Sequence, residues 1–396
     1  MEQQIDTQSL IVNVPGTHEA VTARIVNENN SYIFISGMIG LNPETDQLEN
    51  TLQEQTKRMF NNIQNVLKLA GSSLDRVVKI NLFVTSEPHL AEVEKEYSNW
   101  FTNSLPARTR VVVKALPKGA LVESEVIALA DNKTKVKTLP GERIPKALGP
   151  YVMAKRLRAD SNFVVLSGSI GLNPVTGTLA DDLTEQTRQT LANIKNLLAR
   201  SHSSMGNIIK TTVYLTDMAD FQTMNTEYAK WFEEGKYPCR STVAVKALPK
   251  GAKVEIDVIA VEDEMPSFYN IQTDDFPKPI GPYTVTKRLA PNTPLMYISG
   301  IIGEDKEGGI PESVGEQTQL ALQSIKEILA KANASFDNVV KALVYLTDMG
   351  DFAAMNDVYK DFFPQGNEPT RVCVAVMELP KKAKVQIDLV VALADK

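Results

Sequence analysis

The chain is poor in cysteine and histidine, the residues that most often build disulfide frameworks, metal sites and catalytic triads. Its 396 residues include two cysteines, Cys239 and Cys373, and three histidines, His18, His89 and His202. So few cysteines argue against a disulfide framework and fit a reducing compartment. No apolar run approaches the roughly 18 to 20 residues that span a bilayer, and the first residues do not have the pattern of a signal peptide. We therefore expect a cytoplasmic protein.

An excess of positive charge is also missing. The formal net charge is −6, and 43% of the residues are hydrophobic, as in an ordinary globular protein. An acidic chain has no general attraction to nucleic acid or to an anionic membrane, so we expect neither as a partner. The length predicts about two to three domains.

Short motifs recur three times in the same order. Glu-Gln-Thr at 54–56 returns at 185–187 and at 316–318, 131 residues later each time. Ser-Gly at 36–37 returns at 167–168 and 299–300, and Leu-Pro-Lys at 116–118 returns at 248–250 and 379–381. Such self-similarity predicts three tandem copies of one domain. We place these copies, repeats 1, 2 and 3, at residues 1–132, 133–263 and 264–396.

Each repeat alternates strand and helix patterns. In repeat 1, strands are predicted at 32–36, 77–84, 109–115 and 121–130. One amphipathic helix contains Phe60 and Ile63, and a second carries the aromatic core residues Tyr97, Trp100 and Phe101. The order β-β-α-β-α-β-β predicts an α+β fold with both helices on one face of a mixed sheet. We expect the open sheet faces to pack around a common pseudo-threefold axis, with linkers at about 131–145 and 262–279 running between the domains.

Residues that recur at the same place in every repeat are the candidates for shared chemistry. The three histidines occupy different places, which excludes a shared histidine-based zinc site or Ser/His/Asp triad. An arginine does recur at the start of the penultimate strand, as Arg108, Arg240 and Arg371. A guanidinium there can hold a carboxylate with two parallel hydrogen bonds, although a structural salt bridge explains a strand-end arginine equally well.

Two acidic positions recur in the last strand. Glu255 and Asp257 of repeat 2 share one face of the strand, and their counterparts are Glu123 and Glu125 in repeat 1 and Gln386 and Asp388 in repeat 3. Such a pair usually marks a solvated face. The functional alternative is that the first acid faces a pocket and orients or deprotonates a water.

A glycine also recurs after the early strand, as Gly37, Gly168 and Gly300. Glycine permits close approach of a ligand to the backbone, and its N–H could bind a carboxylate oxygen. A plain turn glycine is an equally good explanation.

Together these landmarks resemble the RidA/YjgF family over nearly all of each repeat. The most specific pieces are the Ile-Gly-Pro-Tyr opening at 280–283, the Thr-Asp-Met-x-Asp-Phe segments at 216–221 and 347–352, and the closing Pro-x-Arg and Leu-Pro-Lys motifs. The resemblance implies a chorismate-mutase-like fold and trimers with three clefts between subunits. It also implies hydrolysis of reactive 2-imino and enamino acids, such as 2-iminobutanoate and 2-aminoacrylate, to 2-keto acids and ammonia. Neither a metal nor an organic cofactor is implied.

The resemblance further implies roles for individual residues. The arginine that holds the substrate carboxylate falls on Arg108, Arg240 and Arg371, and the acid that positions water falls on Glu123 and Glu255 but on Gln386 in repeat 3. The substrate-binding positions fall on Tyr151, Tyr283, Gly37, Gly168, Gly300, Asn225, Asn356, Thr242 and Cys373.

Repeat 1 departs most from this pattern. Residues 14–18 replace the tyrosine opening, Glu94 replaces the asparagine, and Arg110 stands where the other repeats have Thr242 and Cys373. We expect Glu94 to repel an anionic substrate from Arg108, with Arg110 offsetting part of that repulsion. Repeat 2 keeps the fullest set, so Arg240→Ala is expected to remove the largest share of any deaminase activity.

The resemblance leaves other functions open. A non-catalytic carboxylate-binding or chaperone-like module is the main alternative, motivated by the residues lost from repeats 1 and 3. Ribonuclease activity is disfavoured, because the chain is acidic and has no basic stretch with interleaved aromatic residues. Three fused copies can close a pseudo-trimer within one chain, so we expect a monomer that binds small 2-imino and 2-keto acids.

Overall fold

The computed structural model describes residues 7–10, 23–28, 30–130, 135–138, 146–158, 163–263, 268–269, 279–289, 295–363 and 367–393. The opening of repeat 1 at 14–18 lies outside these residues. Each repeat forms one main mixed sheet and contributes two α-helices, as the α+β prediction requires. No helix within the described ranges is long and apolar enough to cross a membrane.

Repeat 1 begins with strands that lead into its first helix. Thr51 caps this helix by accepting a hydrogen bond from the Glu54 backbone, and the Glu54 carboxylate accepts one from the Thr51 N–H in return. The elements are β1 (Thr7–Leu10), β2 (Ala23–Glu28), β3 (Asn30–Ile39), β4 (Leu41–Asn42), β5 (Gln47–Leu48), α1 (Leu52–Leu69), β6 (Val77–Val84), α2 (His89–Trp100), β7 (Ala107–Val112) and β8 (Val122–Leu129). The main sheet has the order β1-β2-β3-β8-β6-β7, in which β6 and β7 are parallel.

Repeats 2 and 3 follow the same plan. Repeat 2 contains β9 (Lys135–Thr138), β10 (Ala154–Arg158), β11 (Phe163–Leu166), β12 (Ser169–Ile170), α3 (Leu183–Arg200), β13 (Ile208–Leu215), α4 (Phe221–Ala229), β14 (Cys239–Ala244) and β15 (Val254–Val261). Repeat 3 contains β16 (Phe268–Tyr269), β17 (Thr286–Leu289), β18 (Leu295–Ile302), α5 (Val314–Lys331), β19 (Val339–Leu346), α6 (Phe352–Tyr359), β20 (Thr370–Ala375) and β21 (Val385–Ala392).

Two parts of the predicted element plan were wrong. The segments assigned to linkers contribute edge strands: β9 pairs antiparallel with β10, and β16 pairs with β17. β9 has four residues and β16 has two, which is too short for periodicity to mark them as strands. The early strand of repeat 1 also does not end at Ser36. It continues to Ile39 through a register shift against β8, because Gly37 lies at an irregularity of the ladder.

The predicted helix face is confirmed. Phe60, Ile63 and Val66 of α1 are fully buried, and they form one apolar cluster with Tyr97 of α2 and with residues of β3, β6 and β8. Repeats 2 and 3 have corresponding clusters. Both helices of a repeat therefore cover the same face of its sheet.

The opposite sheet faces contact one another. One apolar cluster includes Phe83, Tyr214 and Tyr345, which occupy the same place in the three repeats. A second includes Val78, Ile209 and Val340, again one residue from each repeat. The face that a single repeat leaves open is therefore buried by the other two.

Backbone contacts join each repeat to the next in a closed cycle. Ala107 of repeat 1 bridges to Val152 of repeat 2, and Cys239 of repeat 2 bridges to Thr284 of repeat 3. Repeat 3 returns to repeat 1, where the Arg371 N–H donates to Ser36 Oγ at 3.1 Å. Three seams result.

Candidate functional site

Each recurring arginine lies at one of these seams. It is the second residue of its strand, and its backbone N–H donates to the serine of the next repeat's Ser-Gly pair, with N–O distances of 2.7 to 3.1 Å. The first cleft holds Arg108 against repeat 2, the second holds Arg240 against repeat 3, and the third holds Arg371 against repeat 1. All three arginines are buried, with 2 to 4% of their surface exposed.

Aromatic rings surround each guanidinium. The central carbon of Arg108 lies 4.5 Å from the Tyr97 ring centroid, and that of Arg371 lies 4.5 Å from the Tyr359 ring. Arg240 lies 5.1 Å from Tyr228. The aromatic triplets predicted these tyrosines as core residues, and they are buried. Their second role as cation–π partners was missed, although each recurs 11 or 12 residues before its arginine in all three repeats.

The acid position of each cleft belongs to the neighbouring repeat. A Cβ built on Gly168 would collide with Glu255 Oε1, one on Gly37 would collide with Glu123 Oε1, and one on Gly300 would lie 2.6 Å from Gln386 Cδ. The recurring glycine is therefore required by close packing against this side chain, and a plain turn is not the explanation. The sequence also suggested that the glycine N–H binds a substrate carboxylate. At Gly168 this N–H already donates to Arg108 O and Thr109 Oγ1.

The set assigned to repeat 2 is consequently divided between two clefts. Tyr151, Gly168 and Glu255 line the first cleft together with Arg108. Arg240 lines the second cleft together with Gln386. The fullest set, kept in the sequence of repeat 2, consists of Tyr151, Gly168, Asn225, Arg240 and Glu255. Arg240 and Glu255 of this set line different clefts, because each arginine faces the next repeat.

In the first cleft, a carboxylate of the chain itself forms an ion pair with the arginine. Glu94 of α2 lies 2.9 Å from Arg108 Nη2 and 2.9 Å from Arg110 Nη1. Gly149 approaches so closely that a Cβ there would meet both Glu94 and Arg108. For Arg108 the structure therefore shows the salt bridge that the sequence left open as an explanation, and the repulsion of an anionic substrate by Glu94 stays a prediction.

The second cleft contains an arginine for which the described residues provide no counter-ion. Neither terminal nitrogen of Arg240 has a hydrogen-bond partner within the described residues, and the same holds for the amide of Asn225 and for Thr242 Oγ1. The Tyr283 ring lies 5.2 Å from the guanidinium. Burial lowers the pKa of Arg240, and the neighbouring tyrosines Tyr228 and Tyr283 oppose that effect. With its mouth, the cleft has a volume of ≈ 710 Å³, whereas the corresponding residues of the first cleft line two smaller cavities of ≈ 300 Å³ and ≈ 280 Å³.

The third cleft combines an arginine with a carboxylate. Arg371 Nη1 donates to Asn356 Oδ1 at 2.8 Å, and the Phe352 ring lies 5.4 Å from the guanidinium. Glu123 enters from repeat 1 beside Gly37, where a Cβ would lie 3.4 Å from Val372 Cα. Cys373, two residues after Arg371, is buried. Of the predicted site residues, Arg371, Asn356, Gly37 and Glu123 come to this seam, and Cys373 belongs to the apolar core cluster of repeat 3.

The prediction of a solvated acidic face was wrong. Glu255 and Asp257 share a face of β15, but that face packs against repeat 1, and they are 2% and 7% exposed. Asp257 accepts hydrogen bonds from Lys79 Nζ at 2.9 Å and from Thr109 Oγ1 at 2.7 Å. The alternation within the strand was correct, and only the neighbouring repeat decides that the face is buried.

Burial changes the acidity of the first-cleft carboxyl. It raises the pKa of Glu255 to about 8, and the negative charge of Asp257 adds to that effect, while Arg110, Lys79 and Arg108 oppose it. A carboxyl with a pKa near neutrality can give and take a proton under physiological conditions.

The comparisons with known proteins agree with the threefold repeat. The family model described as Endoribonuclease L-PSP matches residues 20–130, 141–262 and 273–393. The 2-iminobutanoate/2-iminopropanoate deaminase of Salmonella typhimurium is 42% identical over 127 residues, which are 32% of this chain and 97% of that protein. The chloroplastic Reactive Intermediate Deaminase A of Arabidopsis thaliana is 40% identical over 135 residues, 34% of this chain and 70% of that protein.

Among solved structures, the YjgF gene product of Escherichia coli is 41% identical, with 32% of this chain and 98% of that chain covered and a TM-score of 0.29. The TdcF protein of Escherichia coli, solved with bound serine, is 41% identical over 32% of this chain and 99% of that chain, with a TM-score of 0.30. Each relative corresponds to one third of this chain. The chain therefore belongs to the RidA/YjgF (Endoribonuclease L-PSP) family, as three tandem copies of the family domain.

Proposed function

We propose that the protein is a hydrolytic deaminase that converts 2-imino and enamino acids to 2-keto acids and ammonia. The observation that carries the proposal is the third cleft, where the Ser36-Gly37 pair of repeat 1 contacts two residues: the N–H of the buried Arg371 donates to Ser36 Oγ, and the Glu123 carboxylate packs against Gly37. Relatives named 2-iminobutanoate/2-iminopropanoate deaminase support the reaction class. The substrate is a small 2-imino acid of the kind that those names describe.

In this proposal Arg371 binds the substrate carboxylate and fixes C2 of the protonated imine near Glu123. Glu123 accepts a proton from a water as the water oxygen bonds to C2. The C2–N bond then breaks, the nitrogen takes the proton back from Glu123 and leaves with the proton of the new hydroxyl as ammonium, and a 2-keto acid remains. A protonated imine is already electrophilic, so placement of the two reactants supplies most of the catalysis.

In this proposal the main catalytic site contains Arg371, whereas the sequence favoured Arg240. The residue opposite Arg240 is Gln386, which can hydrogen-bond to a water but cannot accept its proton. The first cleft has the acid Glu255, but Glu94 pairs with its arginine. The third cleft has the acid Glu123, and the neutral amide of Asn356 takes the place that Glu94 has in the first.

The test compares matched variants of the three arginines in a coupled assay that traps imines released from threonine by a dehydratase. Arg371→Gln should lower kcat/KM about a hundredfold, which corresponds to about 2.7 kcal/mol of transition-state stabilisation. Arg240→Gln and Arg108→Gln should each cost less. Glu123→Gln should lower kcat by about a hundredfold or more, since a positioned base contributes about 10² to 10⁴. A larger loss in Arg240→Gln than in Arg371→Gln would contradict the assignment of the third cleft.

The second candidate function is a carboxylate-binding module without turnover. The paired Arg108 and the glutamine opposite Arg240 favour it. No acceleration of imine hydrolysis by the wild-type protein, together with intact binding of 2-ketobutyrate, would establish this alternative.

We also propose that the protein is a cytoplasmic monomer whose repeats are related by pseudo-threefold symmetry. The closed cycle of seams supports this, because three repeats of one chain already cover one another's open sheet faces. Light scattering should give the mass of one chain, 43.6 kDa. A mass about three times larger would exclude a monomer.

A further inference from the structure

The second cleft contains a buried cation for which the described residues provide no anion. Arg240 is 3% exposed, and both of its terminal nitrogens lack a hydrogen-bond partner within the part of the chain that is described. In the first cleft the equivalent arginine is neutralised by Glu94. A buried charge without a partner is costly, so a ligand carboxylate that accepts two parallel hydrogen bonds would be bound strongly here.

The polar groups next to Arg240 offer hydrogen-bond donors to such a ligand. Gln386 Nε2 lacks a partner among the described residues, and Thr242 Oγ1 and the amide of Asn225 lack one too. A carboxylate and an adjacent carbonyl oxygen provide acceptors for these donors. Because Gln386 takes the acid position, a bound imine would not be supplied with a deprotonated water.

The second cleft also differs from the first at one position of the helix that borders it. Asn62 and Asn193 occupy one position of α1 and α3, and their amides donate to backbone carbonyls, to Leu41 O at 3.0 Å and to Leu172 O at 2.9 Å. Repeat 3 has the smaller Ser324 at this position of α5, where it lines the cleft beside Ile301 and Ile328. This apolar pocket has room for a side chain larger than methyl or ethyl.

An acidic residue completes the lining. Glu304 replaces the Leu172 of repeat 2, and it forms an ion pair with Lys381. With that lysine already paired, a second carboxylate on the ligand would meet the negative charge of Glu304. The lining therefore favours a monocarboxylate over a dicarboxylate.

We propose that the second cleft binds, without hydrolysing it, a 2-keto monocarboxylate with a branched apolar side chain of about four carbons. The carboxylate would pair with Arg240, the keto oxygen would accept from Gln386 Nε2, and the side chain would lie against Ile301, Ile328 and Ser324. In this proposal the cleft is a ligand-binding site separate from the third cleft. The proposal needs no turnover, so it holds or fails independently of the deaminase function.

Isothermal titration calorimetry of the full chain with 4-methyl-2-oxopentanoate tests it directly. The wild-type protein should bind this ligand and should bind 2-oxoglutarate at least about tenfold more weakly. Arg240→Gln should weaken binding of the branched ligand about tenfold or more, since a hydrogen-bonded charge pair is lost. Arg371→Gln, the same change in the third cleft, should leave binding of this ligand intact.

A second variant covers the case in which Arg240→Gln disturbs folding. Ser324→Asn introduces the residue that repeats 1 and 2 carry at this position, and it should fill the pocket. It should weaken binding of 4-methyl-2-oxopentanoate about tenfold while the affinity for pyruvate changes little. Undetectable binding of the branched ligand to the wild-type protein, equal binding in Ser324→Asn, or loss of binding only in Arg371→Gln would each overturn the proposal.

Hydrolysis at this cleft is tested by adding the missing acid. In a Glu123→Gln background, Gln386→Glu should raise the residual imine hydrolysis severalfold. High residual hydrolysis in Glu123→Gln that disappears in Arg240→Gln would show that the second cleft is catalytic as it stands, against the proposal.

Discussion

Three arginines at the same place in their repeats have three different electrostatic environments. Arg108 is paired with Glu94, the terminal nitrogens of Arg240 have no partner among the described residues, and Arg371 donates to Asn356 Oδ1. The arginine strand position was predicted from the sequence, and so were the two competing explanations for it. Arg108 forms the structural salt bridge, and a carboxylate-binding role remains the proposal for Arg240 and Arg371. The strand of the arginine could not distinguish these explanations, because the side chain that pairs with the arginine lies on a helix.

At the residue scale, Glu255 should make stability depend on pH. Its pKa rises from an ordinary value of 4.5 to about 8, so between these pH values the folded state holds a proton that the unfolded state has lost. The contribution of Glu255 to stability is complete below about pH 4.5 and is lost as the pH rises through about 8. Glu255→Gln cannot lose a proton, so its free energy of unfolding relative to wild type should increase from about pH 5 to about pH 9.

The measurement is urea unfolding of both proteins at several pH values. The free energy of unfolding of Glu255→Gln minus that of wild type should grow by up to about 1.4 kcal/mol for each pH unit between the two pKa values. Glu92→Gln, a change at an exposed position, serves as the control and should show no such trend. A constant difference between Glu255→Gln and wild type across this range would mean that Glu255 is ionised throughout.

At the scale of elements, the helix after the parallel strand decides whether an arginine is available. Glu94 of α2 corresponds to Asn225 of α4 and Asn356 of α6, and of these three side chains the glutamate alone can neutralise its arginine. Glu94→Asn should therefore open the first cleft and add one binding site for 2-ketobutyrate, measured as stoichiometry by calorimetry. Glu92→Asn, on an exposed position of the same helix, should add none. An unchanged stoichiometry in Glu94→Asn would show that Glu94 does not close the cleft.

At the scale of the whole molecule, buried ion pairs connect the repeats around the cycle. Lys79 pairs with Asp257 at 2.9 Å, Lys210 pairs with Asp388 at 3.0 Å, and Lys341 pairs with Glu125 at 2.6 Å. Each pair joins one repeat to another. The three lysines are 131 residues apart, so the sequence contained a recurrence that could have marked them as candidates alongside the arginines.

Removal of one lysine should destabilise the whole chain. Lys79→Met leaves Asp257 buried without its partner, and the expected cost is about 3 to 5 kcal/mol of unfolding free energy. Lys79→Met combined with Asp257→Leu should recover most of this loss, since an apolar pair of similar volume has no charge to desolvate. Denaturant unfolding of the two variants provides the comparison. Equal stability of Lys79→Met and wild type would show that this pair does not hold the repeats together.

The sequence by itself determined the threefold repeat, the α+β order, the helix faces and the three arginines, because these depend on local periodicity and on motifs within one repeat. It did not determine which acid meets which arginine. Glu255 proved to face Arg108, Gln386 to face Arg240, and Glu123 to lie beside Gly37 near Val372. Only the tertiary structure decided this, since each cleft forms where the open sheet face of one repeat packs against the next and no pattern within a repeat encodes its neighbour.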